Sequence, residues 1–320
     1  MDAAQAGSHQ PVMLDRVLAL LAPALGSPGA VLVDATLGRA GHARALLDAH
    51  PDLMLIGLDA DTTAIEESAR LLTRYRGRVT LEHAVFDQIA GVLKRHGVAR
   101  VQGVLFDLGV SSPQLDEPGR GFAYSYDAPL DMRMDRTQRL TAAEVLNTYP
   151  AAKLARVLRD YGEEKFAHRI ADAVVAQRAS APLTSTGQLT DIVRTAIPAP
   201  ARRHGGHPAK RTFQALRIEV NGELDALRRA LPEALDALAV GGRVVVLAYH
   251  SLEDRIVKRE FATRTQDTTP AGLPVTLAAA RPKFQLLTRG AQRPPAAELA
   301  GNPRAASARL RATERIREAA

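Results

Sequence analysis

The sequence predicts an α/β fold, a doubly wound and mostly parallel sheet with a helical insertion between its fourth and fifth strands. Short apolar runs alternate with helical segments along the first hundred residues, a pattern typical of a parallel sheet covered by helices on both faces. The alternation stops near residue 112 and resumes near residue 213. We therefore predict a sheet domain of residues 1–112 and 213–320, and an insertion of residues 113–212.

The first half of the predicted sheet consists of apolar runs that each end in an acidic residue. These strands are predicted at residues 31–34, 53–59, 79–82 and 101–107. The intervening helices are predicted at residues 42–49, 61–75 and 88–96. Because helical crossovers keep the strands parallel, we expect the acidic ends to meet at one edge of the sheet.

The insertion begins with a stretch rich in Pro, Gly and Asp, residues 113–140, and continues with helical segments. Thr141 and Glu144 have the spacing of a capping box. Further helices are predicted at residues 151–160, 163–179 and 186–196. The sheet pattern then resumes, with helices at 213–229, 232–238 and 252–263 and strands at 243–249 and 284–288.

Composition excludes several classes of protein. The chain of 320 residues contains no cysteine, which excludes disulfides, thiolate nucleophiles and Cys-ligated zinc. His204 and His207 have no third ligand at helical spacing, so we predict no metal site. Neither a signal peptide nor an apolar stretch long enough for a bilayer is evident. We expect a soluble, cytoplasmic protein with no membrane partner.

Positive charge is concentrated in two places. The formal net charge is +7, and residues 281–320 alone contain nine Arg or Lys and three Glu. The second concentration consists of Arg202, Arg203, Lys210 and Arg211. Basic stripes attract polyphosphates such as RNA, although a solvated basic surface is an equally good interpretation of the C-terminal segment.

The strand ends predict a nucleoside cofactor. Ligands of open α/β sheets bind outside the carboxyl ends of the strands, where Asp34, Asp59 and Asp107 are predicted. The turn after the first strand has small residues but lacks the G-x-G-x-x-G fingerprint of dinucleotide sites, which disfavours a nicotinamide oxidoreductase. A carboxylate at Asp59 can accept both ribose hydroxyls of an adenosine. Each Asp alone fits an ordinary loop cap; their combination favours the cofactor.

Longer motifs make the prediction specific. In chain order they are HQPVM at 9–13, DATLGRAGH at 34–42, DLGVSSPQ at 107–114, RGF at 120–122, PLDMRMD at 129–135, HPAKRTFQALRIEVN at 207–221, YHSLEDR at 249–255 and NPR at 302–304. With these motifs the chain resembles the ribosomal RNA small subunit methyltransferase H family. The resemblance implies a Rossmann-like methyltransferase that uses S-adenosylmethionine to methylate a cytosine N4 in 16S rRNA.

The resemblance also implies which residues line the cofactor site: Ala40, Gly41, His42, Asp59, Phe86, Asp107 and Gln114. Phe86 fits equally well as a core aromatic residue, and Gln114 as an ordinary loop residue. The chain departs from the family pattern at Ala35 and Ala40, where glycine is usual. Alanine tolerates a positive φ poorly, so we expect the turn to hold these two positions at negative φ or to shift slightly. Gln10 and Lys210 are further departures, from Glu and Thr.

The chemistry of the implied reaction suggests the catalytic residues. The lone pair of cytosine N4 is conjugated with the ring, and an acceptor on the N–H groups stabilises charge that develops on the attacking nitrogen. We expect the loop from Asp107 to Ser112, including Ser111, to supply acceptors, with Asp107 or backbone carbonyls nearest the amine. His250, after the fifth strand, could take a proton or hold the base. Alternatively it only precedes a helix that starts with a capping box at Ser251.

The expected partner is 16S rRNA, presented on the assembled small ribosomal subunit, with a decoding-centre cytosine flipped from its stack. We expect the insertion, the C-terminal segment and the basic residues Arg202, Arg203, Lys210 and Arg211 to bind phosphates. Two alternatives stay open: a methyltransferase for another nucleic acid or a protein, and a noncatalytic RNA-binding factor on the same fold.

Overall fold

The computed structural model describes residues 11–202, 206–267, 269 and 280–318. The elements up to the fourth strand are α1 (Leu14–Leu25), β1 (Val31–Asp34), α2 (Gly41–Ala49), β2 (Met54–Asp59), α3 (Thr62–Leu71), β3 (Val79–His83), α4 (Ile89–Arg95) and β4 (Val101–Asp107). Helices follow: α5 (Ser112–Asp116), α6 (Ala142–Thr148), α7 (Ala151–Gly162), α8 (Ala167–Ser180), α9 (Thr186–Ala196), α10 (Ala199–Arg202), α11 (Lys210–Asn221) and α12 (Glu223–Ala237). The last elements are β5 (Leu238–Ala248), α13 (Ser251–Thr265), β6 (Phe284–Leu286), α14 (Ala296–Gly301) and β7 (Arg309–Arg315).

The chain divides into two compact units. The sheet unit contains the described residues up to Gly109 and from Ala226 onward, and the helical unit runs from Val110 to Asp225. The predicted boundaries, at residues 112 and 213, differ most at the second junction. There α11 belongs to the helical unit because Phe213 and Leu216 are buried in that unit's own core.

The sheet has seven strands in the order β3-β2-β1-β4-β5-β7-β6. Strands β1 to β5 pair in parallel, and β7 is antiparallel to both of its neighbours, β5 and β6. The predicted doubly wound, mostly parallel fold is therefore confirmed. The strand order reverses between β1 and β4, which is the position where open sheets of this kind bind ligands.

Apolar packing on both faces explains why the central strands are nearly continuous runs of apolar residues. Leu105 of β4 packs in one core with residues of α1 and α2, whereas its neighbour Phe106 packs in a second core with residues of α4, α12 and α13. Successive side chains of a strand point to opposite faces. A strand buried on both faces must therefore be apolar at nearly every position, and only its end can hold a polar residue.

Three elements of the sheet unit are absent from the sequence prediction: the short helix α14, helix α1 and strand β7. The last two are the more informative. Helix α1 begins after Met13, whose φ is 52° and whose side chain makes no cap hydrogen bond, and it contains Pro23. Strand β7 has alternating charged residues that resemble a solvated segment. Both elements are stabilised by distant partners, since α1 packs on the core below β4 and β7 pairs between β5 and β6.

Strand β7 also changes the interpretation of the basic C-terminal segment. Arg309 and Arg311 both form ion pairs with Asp254 of α13. Arg315 is 3% exposed and donates to the carbonyl oxygens of Asp236 and Leu238. These three cations stabilise the sheet unit, so they do not form the phosphate-binding surface that the charge count suggested. Other cations of the segment are exposed, among them Arg289 and Arg293.

The predicted helix at residues 213–229 is two helices in the structure. It is broken at Gly222, whose φ of 60° is the left-handed conformation that ends a helix and that glycine adopts without strain. The Asn221 side chain next to it donates to the carbonyl oxygens of Met132 and Arg217. This contact holds the loop at residue 132 to the end of α11.

The helical unit has its own apolar core, formed mainly by α6, α7, α8, α9 and α11. The Thr141 hydroxyl accepts from the Glu144 N–H at the start of α6, which is one of the two hydrogen bonds of the capping box predicted there. Ser185 and Gln188 form a full capping box at α9. Within the described residues, no helix combines the length and the apolar character needed to cross a membrane.

Candidate active site

The turn after β1 is hydrogen-bonded through its backbone to both neighbouring strands. The Ala35 N–H donates to Leu105 O of β4 at 2.9 Å, and the Leu37 N–H donates to Leu58 O of β2 at 2.8 Å. The backbone then enters the left-handed region twice, at Gly38 with φ of 51° and at Ala40 with φ of 55°. Of the two expected outcomes, a negative φ is therefore found at Ala35 but not at Ala40.

The start of α2 is packed against the segment that precedes α1. A Cβ added at Gly41 would lie 2.5 Å from Pro11 Cγ, which is closer than two non-bonded carbon atoms can approach. The buried ring of His42 lies 3.0 Å from Val12 O through Nε2. Gly41 is thus required by close approach rather than by φ, and His42 is fixed at one ring nitrogen by the backbone.

Asp59, at the end of β2, is anchored through both oxygens. Its Oδ2 accepts from the Gly38 N–H at 2.7 Å, and its Oδ1 accepts from the Asp61 N–H at 2.8 Å. Burial raises the pKa of Asp59 to about 6, although these two hydrogen bonds oppose the shift. A carboxylate has about four lone-pair positions, so each oxygen can accept one further hydrogen bond from a ligand hydroxyl.

Asp34, at the end of β1, is 2% exposed and accepts from the Thr36 N–H at 3.2 Å. Burial, the largest cause, and the nearby carboxylates of Asp107 and Asp59 together raise its pKa to about 7, against the effect of that hydrogen bond. Near neutral pH, Asp34 is therefore close to half protonated. A carboxyl group without a cationic partner is tolerated here because it can take up a proton.

Asp107, at the end of β4, is held by groups from other elements. Its backbone N–H donates to Thr36 Oγ1 at 2.6 Å. Its Oδ1 accepts from the Tyr249 hydroxyl at 2.7 Å, and its Oδ2 lies 3.5 Å from Nδ1 of His42. About a quarter of the Asp107 side chain, 25%, remains exposed. The carboxylate is fixed in direction and still accessible from the edge of the sheet.

Sequence reasoning missed Tyr249. This residue follows β5, and its hydroxyl reaches the Asp107 carboxylate across the gap between two neighbouring strands. The motif at residues 249–255 includes Tyr249, but nothing in the order of its residues indicates that the hydroxyl points to Asp107. Only the parallel pairing of β4 with β5 brings the two side chains together.

His250 forms the capping box itself. Its Nδ1 accepts from the Glu253 N–H at 3.4 Å, and Glu253 Oε2 accepts from the His250 N–H at 3.1 Å. The sequence had placed this box one residue later, at Ser251. Nε2 of the ring lies 3.1 Å from Glu253 Oε1, and 8% of the side chain is exposed. The geometry matches the helix-start interpretation, and a role of His250 in proton transfer stays a prediction.

Phe86 lies in the 3₁₀ turn after β3 and is partly buried. Its ring meets Phe106 of β4 edge to face, with centroids 5.9 Å apart. Phe86 therefore packs on the core, which agrees with its interpretation as a core aromatic residue. Its exposed part leaves room for the other interpretation, in which the ring flanks a bound adenine.

The remaining predicted site residues belong to the helical unit. There the buried side chain of Gln114 accepts from the Ser111 N–H at 3.0 Å through Oε1. The side chain of Ser112 lies outside the described part of the chain. The roles predicted for these three residues stay predictions.

The predicted RNA-binding residues lie at the start of α11 and just before it. Arg202, the last residue of α10, and Lys210 are exposed, and Arg211 donates to Glu163 O from an exposed position. Arg203 lies outside the described residues, as does His204. Among the side chains that the structure describes, no three His, Asp or Glu residues are grouped so that they could hold a metal ion.

The arrangement suits a polar ligand that has both hydroxyl groups and positive charge. Two carboxylates, Asp59 and Asp107, lie at the ends of β2 and β4, on either side of β1, and about a quarter of the Asp107 side chain, 25%, is exposed. Between them runs a turn with small residues and two left-handed positions, which lets a ligand approach the backbone. These features fit an adenosine with a cationic tail, which is the composition of S-adenosylmethionine.

Comparisons with known proteins agree along the whole chain. A family model described as the MraW methylase family matches residues 6–316. A Thermobifida fusca (strain YX) protein named ribosomal RNA small subunit methyltransferase H is 64% identical over 313 residues, 98% of this chain and 95% of that protein. A Frankia alni protein of the same name is 65% identical over 308 residues, 96% of this chain and 95% of that protein. The similarity is not confined to the sheet unit, since it includes the whole helical insertion.

Proposed function

Because this chain belongs to the MraW methylase family, we propose that it methylates the exocyclic N4 amine of a decoding-centre cytosine in 16S rRNA. Family membership confirms the resemblance drawn from the sequence motifs and makes the chain an S-adenosylmethionine-dependent methyltransferase. The observation that most supports the rRNA substrate is the 64% identity to a named small-subunit rRNA methyltransferase over 98% of the chain. The choice of cytosine N4 rests on the family resemblance.

The residues at the sheet edge would hold the cofactor. Asp59 would accept from the ribose hydroxyls through its remaining lone pairs, and Phe86 would flank the adenine. Ala40, Gly41 and His42 would line the remainder of the site, with Gln114 as a further polar contact. When bound, S-adenosylmethionine supplies an electrophilic methyl group on a sulfonium.

Asp107 would act on the amine. A carboxylate that accepts from an N–H group of the amine disfavours conjugation of the nitrogen lone pair with the ring and stabilises positive charge that develops on nitrogen. Asp107 is suited to this role because it is oriented by Tyr249 and remains 25% exposed. Ser111 and Ser112 would offer further acceptors from the loop that follows. His250 would help to hold the base, with its ring fixed by Glu253.

The substrate would be bound by cations of the helical unit. Arg202, Arg203, Lys210 and Arg211 would contact phosphates around the flipped cytosine, as would the exposed cations of residues 281–304. Such contacts fit a base presented on the assembled small ribosomal subunit in the cytoplasm. They would position the RNA without reading its sequence.

The test is nucleoside mass spectrometry of small-subunit rRNA from a strain that lacks this protein. We expect N4-methylated cytosine to disappear and to return when the wild-type gene is restored, but not when an Asp107→Ala gene is restored at equal protein level. Unchanged N4-methylcytosine in the deletion strain would refute the substrate and leave the reaction class standing. Full rescue by Asp107→Ala would refute the role of Asp107.

A further inference from the structure

We propose that Tyr249 is a positioning residue for methyl transfer, whose hydroxyl keeps the Asp107 carboxylate ionised and directed so that it accepts from the target amine. The proposal rests on the proposed function, which assigns Asp107 to the amine. It adds a residue to which neither the motifs nor the family resemblance gave a role. The carrying observation is the 2.7 Å hydrogen bond from Tyr249 Oη to Asp107 Oδ1.

The direction of this hydrogen bond is fixed by charge. Burial and the neighbouring carboxylates, above all Asp107 but also Glu253 and Glu298, raise the pKa of Tyr249 well above its ordinary value of 10.0. The phenol is therefore neutral at any pH at which the enzyme works. A neutral phenol next to a carboxylate donates its proton to the hydrogen bond, so Asp107 is the acceptor.

Tyr249 is itself held at both ends. Its backbone N–H donates to Glu253 Oε2 at 2.7 Å. Its ring lies beside Gly109, where an added Cβ would come within 3.3 Å of Cδ2 and where φ is 103°. A side chain at position 109 would be strained by the backbone and would crowd the ring. Because residue 109 is glycine, the backbone after β4 packs closely against the Tyr249 ring, and this contact restricts the movement of the side chain that carries the hydroxyl.

The charged and titratable groups around Asp107 act in opposite directions. Asp34 of β1 is close enough that the charge of Asp107 raises the pKa of Asp34 by repulsion, and the same repulsion acts on the Asp107 carboxylate. The Tyr249 hydroxyl on Oδ1 favours the ionised form of Asp107, and Nδ1 of His42 of α2 lies 3.5 Å from Oδ2. His42 is further than an ordinary hydrogen bond. Removing the Tyr249 hydroxyl therefore removes a donor to the ionised form of Asp107, while the repulsion from Asp34 stays.

The experiment compares Tyr249→Phe with a matched control, Tyr75→Phe. Tyr75 Oη also donates to a carboxylate, Asp48 Oδ1, at 2.6 Å, but Asp48 lies in the last turn of α2, away from the carboxyl ends of the strands. Each variant removes one hydroxyl and keeps the ring. Equal thermal unfolding midpoints, within the precision of the measurement, would establish that both variants are folded.

Three quantities are measured on the full chain. The first is the pH dependence of kcat on small ribosomal subunits. The second is the Kd for S-adenosylmethionine. The third is the titration of the Asp107 carboxyl carbon by 13C NMR in the absence of substrate, with the signal assigned by its loss in Asp107→Asn.

For Tyr249→Phe we expect kcat to fall roughly tenfold. The acidic limb of the pH profile of kcat should move up by about one pH unit, because a donor to the charged form of Asp107 is lost. The Kd changes less than about twofold, and Tyr75→Phe leaves all three quantities unchanged.

An Asp107 carboxyl that titrates at the same pH in Tyr249→Phe and in the wild type would overturn the proposal. An equal loss of kcat in Tyr75→Phe would do so as well, because the effect would then not depend on Asp107. Failure of the proposed function looks different. Wild-type enzyme that leaves the subunit cytosine unmethylated refutes that substrate, while the NMR titration still decides whether Tyr249 controls the charge of Asp107.

Discussion

Asp34, Asp59 and Asp107 end neighbouring strands, yet the protein gives each a different environment. Asp34 is buried beside two like charges and has a pKa of about 7. Asp59 is anchored by two backbone N–H groups and has a pKa of about 6. Asp107 is oriented by Tyr249 and His42 and stays partly exposed. One residue type thus occupies three environments, and the proposed function assigns Asp59 to the ribose hydroxyls and Asp107 to the amine.

Cofactor affinity is expected to depend on pH through Asp59. Protonation of a ribose-binding carboxylate removes an acceptor, so the Kd for S-adenosylmethionine should rise as pH falls through about 6, by up to about tenfold per pH unit. Asp59→Asn should bind the cofactor roughly 10-fold to 100-fold more weakly and should lose this part of the pH dependence. Calorimetry between pH 5 and pH 8 measures both effects, with Asp48→Asn as the control. An unchanged pH dependence in Asp59→Asn would exclude Asp59 as the titrating group.

Stability is expected to depend on pH through Asp34. Its folded-state pKa of about 7 lies above the ordinary value of 3.8, so the folded chain binds an extra proton between these values. The free energy of unfolding therefore falls as pH rises through this window. Asp34→Asn keeps an acceptor for the Thr36 N–H and removes the charge. Between pH 5 and pH 8, the free energy of unfolding of Asp34→Asn should increase relative to that of the wild type by a few kcal/mol.

Denaturant unfolding without cofactor measures this difference at each pH. Because all other groups titrate in both proteins, the difference isolates Asp34 from the remaining acids. Parallel stability curves for the two proteins would show that Asp34 is already ionised at pH 5.

At the scale of one element, the turn between β1 and α2 holds an alanine, Ala40, in the left-handed region that disfavours residues with a Cβ. Ala40 has φ of 55° and precedes α2 without a side-chain cap. An alanine in this region costs on the order of 1 kcal/mol relative to glycine. The cost is tolerated because the turn is held by hydrogen bonds from Ala35 and Leu37 to the neighbouring strands.

Ala40→Gly is expected to stabilise the fold by about 1 kcal/mol, less a few tenths for the greater freedom of glycine in the unfolded chain. Ala35→Gly, at a position without positive φ, should instead destabilise it by a similar amount. Thermal unfolding of the two variants side by side measures the contrast. Destabilisation by both substitutions would mean that Ala40 is not strained.

The elements that the sequence predicted well are those whose pattern is local. The strands β1, β2 and β4 are continuous apolar runs with acidic ends, and the helices between them have clear periodicity. Helix α1 and strand β7 lack such a pattern, because α1 starts without a side-chain cap and the charges of β7 pair with a distant residue, Asp254. The same limit applies to the site: Asp59 and Asp107 were visible as strand ends, whereas Tyr249 depends on strand pairing.

At the scale of the whole molecule, the proposed function assigns most of the cofactor site to the sheet unit and phosphate binding mainly to the helical unit. The sheet unit holds Asp34, Asp59 and Asp107 at the ends of its strands, and the helical unit holds Arg202, Lys210 and Arg211 in exposed positions. Each unit has its own apolar core. Substitutions on the surface of one unit should therefore leave the stability and the ligand affinity of the other nearly unchanged.

Replacing Arg202, Lys210 and Arg211 together with alanine is expected to weaken binding of small subunits and to lower its salt dependence. The slope of log K against log salt should decrease by about 2 if all three contact phosphates. Cofactor affinity should not change. The control replaces three exposed cations of the sheet unit, Arg70, Arg76 and Lys94. Equal losses in the two triple variants would indicate a nonspecific charge effect rather than a binding surface.

The position of β7 has a consequence for the order in which the nascent chain can fold. The helical unit is one continuous stretch, so all its core residues have been synthesised before β5 begins. The sheet unit, in contrast, cannot close until residues 309–315 have emerged, because β7 lies between β5 and β6. Strand β5 leads directly to Tyr249, and β7 is its partner on the side away from β4. The helical unit is therefore free to fold during translation, whereas the edge of the sheet that carries Asp107 and Tyr249 is assembled only after nearly the whole chain has been made.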